Sequence, residues 1–190
     1  LDNEPVPEKL KRFVAPSATM GGAKPKALVD IDGESWVVKF ADGEPIDAPL
    51  VEHASMTLAA GSGIRVAPTR AIRLECGHAV AIRRFDRRST QRLHALSASV
   101  ALKAAGEELG YPELAQLLRR CGVVADGRNE EQMQELFRRM VFNILLDNTD
   151  DHEKNHALLV DDAAQYELSA AFDVLPSGQA LGYQQMRVGE

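Results

Sequence analysis

The hydrophobic period of this chain changes near its middle. Apolar and polar positions alternate through Ala27 to Ile31 and Ser35 to Phe40, and Val66 to Leu74 and Ala79 to Phe85 read as two further strands. A period of two predicts half-buried strands. Asp32-Gly33 lies between the first two runs and Glu75-Cys76-Gly77-His78 between the last two; Asp-Gly is a strong hairpin signal because both residues tolerate the left-handed backbone that a tight hairpin needs. One helix interrupts the strands. Asp47 is its expected N-cap, Pro49 falls in its first turn and Gly61 after its last, with an apolar face through Leu50, Ala54, Met56 and Leu58. Beyond residue 91 the spacing turns helical, with helices predicted over Arg92 to Gly106 and Tyr111 to Cys121. After an Asp126-Gly127-Arg128 loop comes the clearest one. Asn129 and Gln132 form its capping box, and Met133, Leu136, Phe137, Met140, Val141, Ile144 and Leu145 repeat at helical spacing as a core stripe. Ala157 to Val160, a turn at Asp161-Asp162, and Tyr166 to Leu168 then read as a small hairpin.

One stretch breaks the pattern. Asp147-Asn148-Thr149-Asp150-Asp151-His152-Glu153-Lys154-Asn155-His156 is polar throughout, yet it joins an apolar helix end to an apolar strand. Core packing does not call for such a segment. Asp150 and Asn155 stand in D-x-x-x-x-N spacing, and Phe172-Asp173-Val174 follows the hairpin. In phosphoryl transfer of the kinase type, an Asp takes the proton of the attacking hydroxyl, the Asn five residues on holds one Mg²⁺, and a later Asp holds metal against the phosphates. The hairpin brings these side chains near one another, as Mg²⁺ and a triphosphate require. Asp147, Asp151, Asp161 and Asp162 are expected to be solvated turn acids.

The first half offers complementary parts. Ser17-Ala18-Thr19-Met20-Gly21-Gly22-Ala23-Lys24-Pro25-Lys26 combines paired glycines with two lysines. Its backbone N–H groups could turn toward an anion, or it could be a plain surface loop. With a strand near Lys11 to Val14, the order becomes strand, glycine loop, strand, turn, strand carrying Lys39. Glu52 is the only acid inside the following helix. It either pairs with Lys39, holding the lysine toward nucleotide phosphates, or simply favours the positive helix N-terminus.

Composition narrows the class. At 190 residues, 45% hydrophobic and 26% charged, the chain is ordinary globular material. A net charge of −6 argues against broad non-specific binding to nucleic acid, and no apolar run is long enough to cross a membrane. Cys76 and Cys121 lack metal-type spacing, so a reducing, cytoplasmic compartment fits best. The start at Leu1 and the end at Val188-Gly189-Glu190 read as those of a piece from a longer protein.

Taken together, S-A-T-M-G-G-A-K-P-K (Ser17 to Lys26), W-V-V-K-F (Trp36 to Phe40), R-R-F-D-R (Arg83 to Arg87), N-T-D-D-H-E-K-N-H (Asn148 to His156) and L-S-A-A-F-D-V-L-P-S (Leu168 to Ser177) resemble the HipA family in order and over most of the chain. These are bacterial serine/threonine kinases acting as toxins of toxin–antitoxin modules. The resemblance implies an α+β, two-lobed protein-kinase-like fold: a lead-in over 1–16, a β-rich N-lobe over 17–86 and a partial helical C-lobe over 87–190. It implies ATP and Mg²⁺ as cofactors. By position, Asp150 looks like the catalytic base, Lys39 like the phosphate lysine, and Asn155 and Asp173 like the Mg²⁺ ligands. The backbone of Arg83 and Phe85 looks like the adenine hinge; Gly21, Gly22, Ala23 and Lys26 look like the phosphate loop and its flank. Glu52 would support Lys39, and His152 would lie near the phosphates. Thr19 falls at the autophosphorylated hydroxyl, with Ser17 as a second acceptor. A HipB-like helix-turn-helix antitoxin and a protein substrate such as an aminoacyl-tRNA synthetase are the implied partners. The family's N-terminal subdomain and further C-terminal helices are not in this chain. Two features depart from other protein kinases: Thr149 replaces the Arg of H-R-D, and Phe172-Asp173-Val174 lacks the glycine of D-F-G. His152 sits where such kinases usually place a lysine, so the cation that neutralises the phosphoryl group is left open.

Two rivals remain. His152-Glu153-Lys154-Asn155-His156 satisfies H-E-x-x-H, which on a helix would bind Zn²⁺ through both histidines and activate water through Glu153. A degenerate kinase fold acting only as a binding module is the other.

Overall fold

The computed structural model describes residues 24–88, 91–178 and 182–189. Ser17, Thr19, Gly21, Gly22 and Ala23, and the strand expected near Lys11, lie outside the described residues.

An antiparallel sheet of order β1-β2-β4-β3 forms the first part, from β1 (Lys26–Ile31), β2 (Glu34–Phe40), β3 (Thr69–Arg73) and β4 (His78–Arg83). The turn between β1 and β2 has Asp32 at φ 57° and Gly33 at φ 78°, the double left-handed geometry expected of Asp-Gly. Strand parity then sorts the side chains. Trp36 and Val38 pack with Ala79 and Ala81 on one face, while Val80 and Ile82 pack with Met56 and Ala59 on the other. Lys39 pairs across the ladder with Val80 and so belongs to the second face. A slip of one residue in β2 would turn the lysine away from everything it meets below.

Helix α1 (Ala48–Gly61) lies against that face and is capped by Asp47, whose carboxylate accepts from Leu50 N at 3.4 Å. Its buried positions are Ala48, Pro49, Glu52, Ser55, Met56 and Ala59. The expected apolar face is therefore corrected. Met56 is buried, but Leu50, Ala54 and Leu58 are exposed on the opposite side. Of the two readings left open for Glu52, the structure shows the pairing with Lys39: the acid faces inward because its charge has a buried partner. Gly61 is inside the last turn, and Gly63, at φ 79°, makes the reversal instead.

The second part is built around helices. Its main core joins Ala98, Ala101, Leu102, Leu114, Leu117, Leu118, Leu136, Leu158 and Leu168. Truncating Leu118, which is fully buried, to alanine is expected to cost about 2–5 kcal/mol in urea unfolding. The helix predicted over 92–106 forms only as α2 (Ala98–Ala104), capped by the Ser97 hydroxyl, which accepts from Val100 N. Strands β5 (Arg87–Arg88) and β6 (Gln91–Arg92) pair with each other, and β7 (His94–Ser97) joins the edge of β8 (Ala157–Val160), which pairs onward with β9 (Tyr166–Leu168). Strand pairing has overridden local helix preference there.

Helix α3 (Tyr111–Cys121) packs on α4 (Arg128–Leu145). Gly127 at φ 73° precedes α4, and Asn129 donates to Arg119 O rather than closing a capping box. The apolar stripe of α4 splits. Leu136 is buried with Met133 and Met140 beside it, whereas Phe137, Ile144 and Leu145 are 62%, 42% and 81% exposed. The inward face is largely polar: Gln132, Glu135, Arg139 and Asn143. Gln132 accepts from Leu168 N, Glu135 from Arg65 N, and Arg139 donates to Ser169 O. These side chains satisfy backbone groups that no strand pairs, as burial demands. Among the described residues no helix is long and apolar enough to cross a membrane.

Candidate functional site

Three charged side chains meet between the sheet and the second part of the chain. Lys39 Nζ donates to Glu52 Oε1 at 2.7 Å and to Asp173 Oδ1 at 2.6 Å. Parity brings Lys39 to this face and the buried spacing of α1 brings Glu52. Asp173 arrives through the chain after β9. There Ala67 N donates to Ala171 O and Ala171 N to Arg65 O, fastening the strand exit to the loop before β3. The Phe172 ring stacks on Phe85 at 5.3 Å, which ties the Asp173 turn to the end of β4. Asp173 itself holds φ 59°, a left-handed conformation that non-glycine residues adopt at a cost and that often marks functional sites.

The cluster tunes its members. Burial alone would lower Lys39, but the two carboxylates outweigh it and hold the ammonium above its usual range. Burial pushes Glu52 above the ordinary carboxylate range despite Lys39, with Asp173 adding to the rise. Asp173 is held below its usual value because Lys39 overcomes the effect of burial. Lys26, paired across the ladder with Lys39, is lowered by burial and then by that second cation. Asp173 keeps a side chain 39% exposed, so it is open to a ligand while Glu52, at 5%, is not.

The polar loop lies between α4 and β8. Asp150 is exposed, and its N–H and that of Thr149 both donate to Ser177 Oγ, at 3.2 and 2.9 Å. Asn155 Nδ2 reaches back to Asp150 O at 3.5 Å. Asn155 also lines a narrow cavity with Phe172 and Val174, so the loop and the Asp173 turn share a wall. His152 contributes to the field around Asp173. Arg83 N donates to Pro68 O and Arg84 N to Ser35 O, fixing the backbone at the end of β4.

Two expectations need correction. Asp151 is not a solvated turn acid: it is 2% exposed, and its carboxylate accepts from the Tyr111 hydroxyl and from His156 Nε2, the latter at 3.1 Å. The H-E-x-x-H reading fails on geometry. Residues 151–156 form turns rather than a helix, and His156 is committed to Asp151 inside the core. Among the described residues no three His, Cys, Asp or Glu side chains converge as a metal site. Ser177, the last residue of the L-S-A-A-F-D-V-L-P-S motif, braces the loop, a role that its place in the motif does not by itself reveal.

A family model for the HipA-like C-terminal domain matches residues 18–190. The kinase candidate Y4dM of Sinorhizobium fredii is 28% identical over 155 residues, which cover 75% of this chain and 37% of that protein. Among solved structures, HipA of Shewanella oneidensis MR-1, in a toxin–antitoxin complex with HipB and operator DNA, superposes with a TM-score of 0.67 at 20% identity, covering 90% of this chain and 46% of that one. The Helicobacter pylori proinflammatory kinase CtkA gives 0.64 at 17% identity, covering 84% and 57%. The chain thus spans about two fifths to three fifths of these relatives. Its α+β architecture is the kinase-like fold of HipA and CtkA, and the chain belongs to the HipA-like C-terminal domain family.

Proposed function

We propose that this chain is the core of an ATP- and Mg²⁺-dependent serine/threonine protein kinase. The observation that carries the reading is the convergence of Lys39, Glu52 and Asp173 at 2.6–2.7 Å from three separate elements. A buried acid holding a lysine, which in turn reaches an accessible carboxylate, is what a phosphate-binding cleft needs. In this reading Glu52 orients Lys39 toward nucleotide phosphates, with Lys26 as a second cation. Asp150 takes the proton of the acceptor hydroxyl, and His152 adds charge beside the phosphates. Arg83 and Phe85 present backbone to the adenine, and the lobes divide at Asp86, between 17–86 and 87–190.

The residues fit the metal. Mg²⁺ prefers oxygen donors from one or two carboxylates plus phosphate and water, and the Asp173 carboxylate and Asn155 amide oxygen offer that set. When bound, Mg²⁺ would neutralise phosphate charge. Glycine-loop residues 21–23 would cradle the phosphates, and Thr19 or Ser17 would be the site of autophosphorylation. By the same family reasoning, the whole protein would act as a toxin restrained by a HipB-like helix-turn-helix antitoxin, which would make most of any DNA contact, and would phosphorylate a protein such as an aminoacyl-tRNA synthetase in a bacterial cytoplasm.

The test is transfer of γ-phosphate from labelled ATP by the full-length protein, followed by phosphoamino-acid analysis. Label on Ser or Thr that disappears with EDTA is expected. MgATP at 100 times its Kd should also stabilise the fold by about 2.7 kcal/mol. The absence of both label and stabilisation by MgATP would overturn the reading.

A further inference from the structure

Asp151 and His156 repeat the five-residue spacing of Asp150 and Asn155, displaced by one position. The first pair is buried, at 2% and 3% exposure, and joined by the 3.1 Å contact between Asp151 Oδ1 and His156 Nε2. Asp150 is exposed, and Asn155 is partly so. We propose that the Asp151–His156 pair is a staple across the polar loop, whose Tyr111 and Asn143 supports make it a positioning device for the side chains of Asp150 and Asn155. What the staple serves rests on the kinase reading; that it holds the loop does not.

The geometry is that of a clamp. Each stapled residue is the immediate chain neighbour of one member of the outward pair. Fixing 151 against 156 therefore fixes the distance between the backbone positions from which Asp150 and Asn155 project. The staple is itself anchored. Tyr111, at the start of α3, donates its hydroxyl to Asp151 Oδ2 and sets its ring edge-on to His156 at 5.3 Å. Asn143, near the end of α4, donates to that hydroxyl at 3.3 Å and accepts from Asn148 Nδ2 at 3.1 Å. Backbone bonds close the frame: Ala98 N to His156 O at 2.7 Å and Met186 N to Asp151 O at 3.0 Å. Burial pushes the Asp151 carboxyl up, but His156, Tyr111 and Asn143 outweigh it and keep it below its usual value. An ionised acceptor strengthens each of these bonds. A loop with no regular structure would otherwise sample many conformers, and displacement of about 1 Å at a reacting group costs up to about 100-fold in rate.

Three variants of the full-length protein test this. His156→Phe keeps an aromatic ring, slightly larger, and loses the hydrogen bond; His156→Gln keeps a donor at similar reach; Tyr111→Phe removes only the hydroxyl and is the milder change should His156→Phe fail to fold. Amide hydrogen exchange over residues 147–157 is expected to quicken about tenfold or more in His156→Phe, less in Tyr111→Phe, and to return toward wild type in His156→Gln, while exchange in the β1–β4 sheet is unchanged. In the transfer assay, kcat should fall with the same ranking, by up to about 100-fold, and KM for ATP should move little. Unchanged loop exchange in the folded Phe variants would overturn the staple. A wild type without transfer would instead remove the kinase reading and leave the exchange result to decide the staple alone.

Discussion

Replacing Asp150 by asparagine is expected to lower phosphoryl transfer by about 10²–10⁴-fold, the usual contribution of a positioned general base. The amide cannot take the proton of the acceptor hydroxyl, whereas its shape still suits the loop. Asp150 is exposed, and the bond it makes to Ser177 comes from its backbone N–H, which the substitution leaves in place. Stability should therefore stay within about 0.5 kcal/mol of wild type. Lys39 and Asp173 are untouched, so KM for ATP should also change little. Steady-state kinetics together with urea unfolding distinguish this from a folding defect. Transfer at the wild-type rate in a folded Asp150→Asn protein would mean that the proton goes elsewhere and that the loop has another purpose.

Replacing Lys39 by methionine should damage both nucleotide binding and stability. Lys39 and Glu52 have side chains only 12% and 5% exposed, so the substitution leaves a carboxylate buried without its cation. Breaking such a pair from one side costs about 3–5 kcal/mol. Asp173, more than a third exposed, adds little because water screens it.

The pH dependence has a definite sign. Glu52 already lies above its usual range in the folded state, so what it contributes to stability is present below about pH 4.3 and is lost as pH rises through the raised value. Asp173 is depressed, so its contribution is present above about pH 3.9 and is lost as pH falls through the depressed value. Without Lys39 both acids move upward, and protons can replace the missing ammonium. The destabilisation of Lys39→Met should hence be largest near neutrality and shrink toward pH 4. Urea unfolding at both pH values measures it; an equal loss at both would show that packing, not the lost charge, is responsible.

Some of this molecule can be read directly from its residues. The Asp32-Gly33 turn, the strand that carries Lys39 and the hairpin from β8 to β9 follow from alternation and turn chemistry. The Lys39–Glu52 contact is one of two readings that the residues leave open, and the fold forms it. Local pattern failed where a polar side chain was needed inside. Hydropathy assigned Leu50 and Leu58 to the core and left Glu52 out, and it assigned Phe137 and Leu145 to the core while Glu135, Arg139 and Asn143 occupy the interior. A period-3.6 pattern weighs apolar area; it does not register that an unpaired backbone N–H or a buried ammonium must find a partner.

Sequence by itself determined which chemical groups are available and the family to which they belong, because motif order and spacing are one-dimensional properties. Tertiary structure alone decided how the acids of the polar loop divide their tasks. Asp150 and Asp151 are neighbours with the same side chain, yet one faces water and the other is held by Tyr111 and His156. That difference comes from partners 40 residues away on α3 and five residues along the loop, and a carboxylate becomes stable in the interior only where such donors converge.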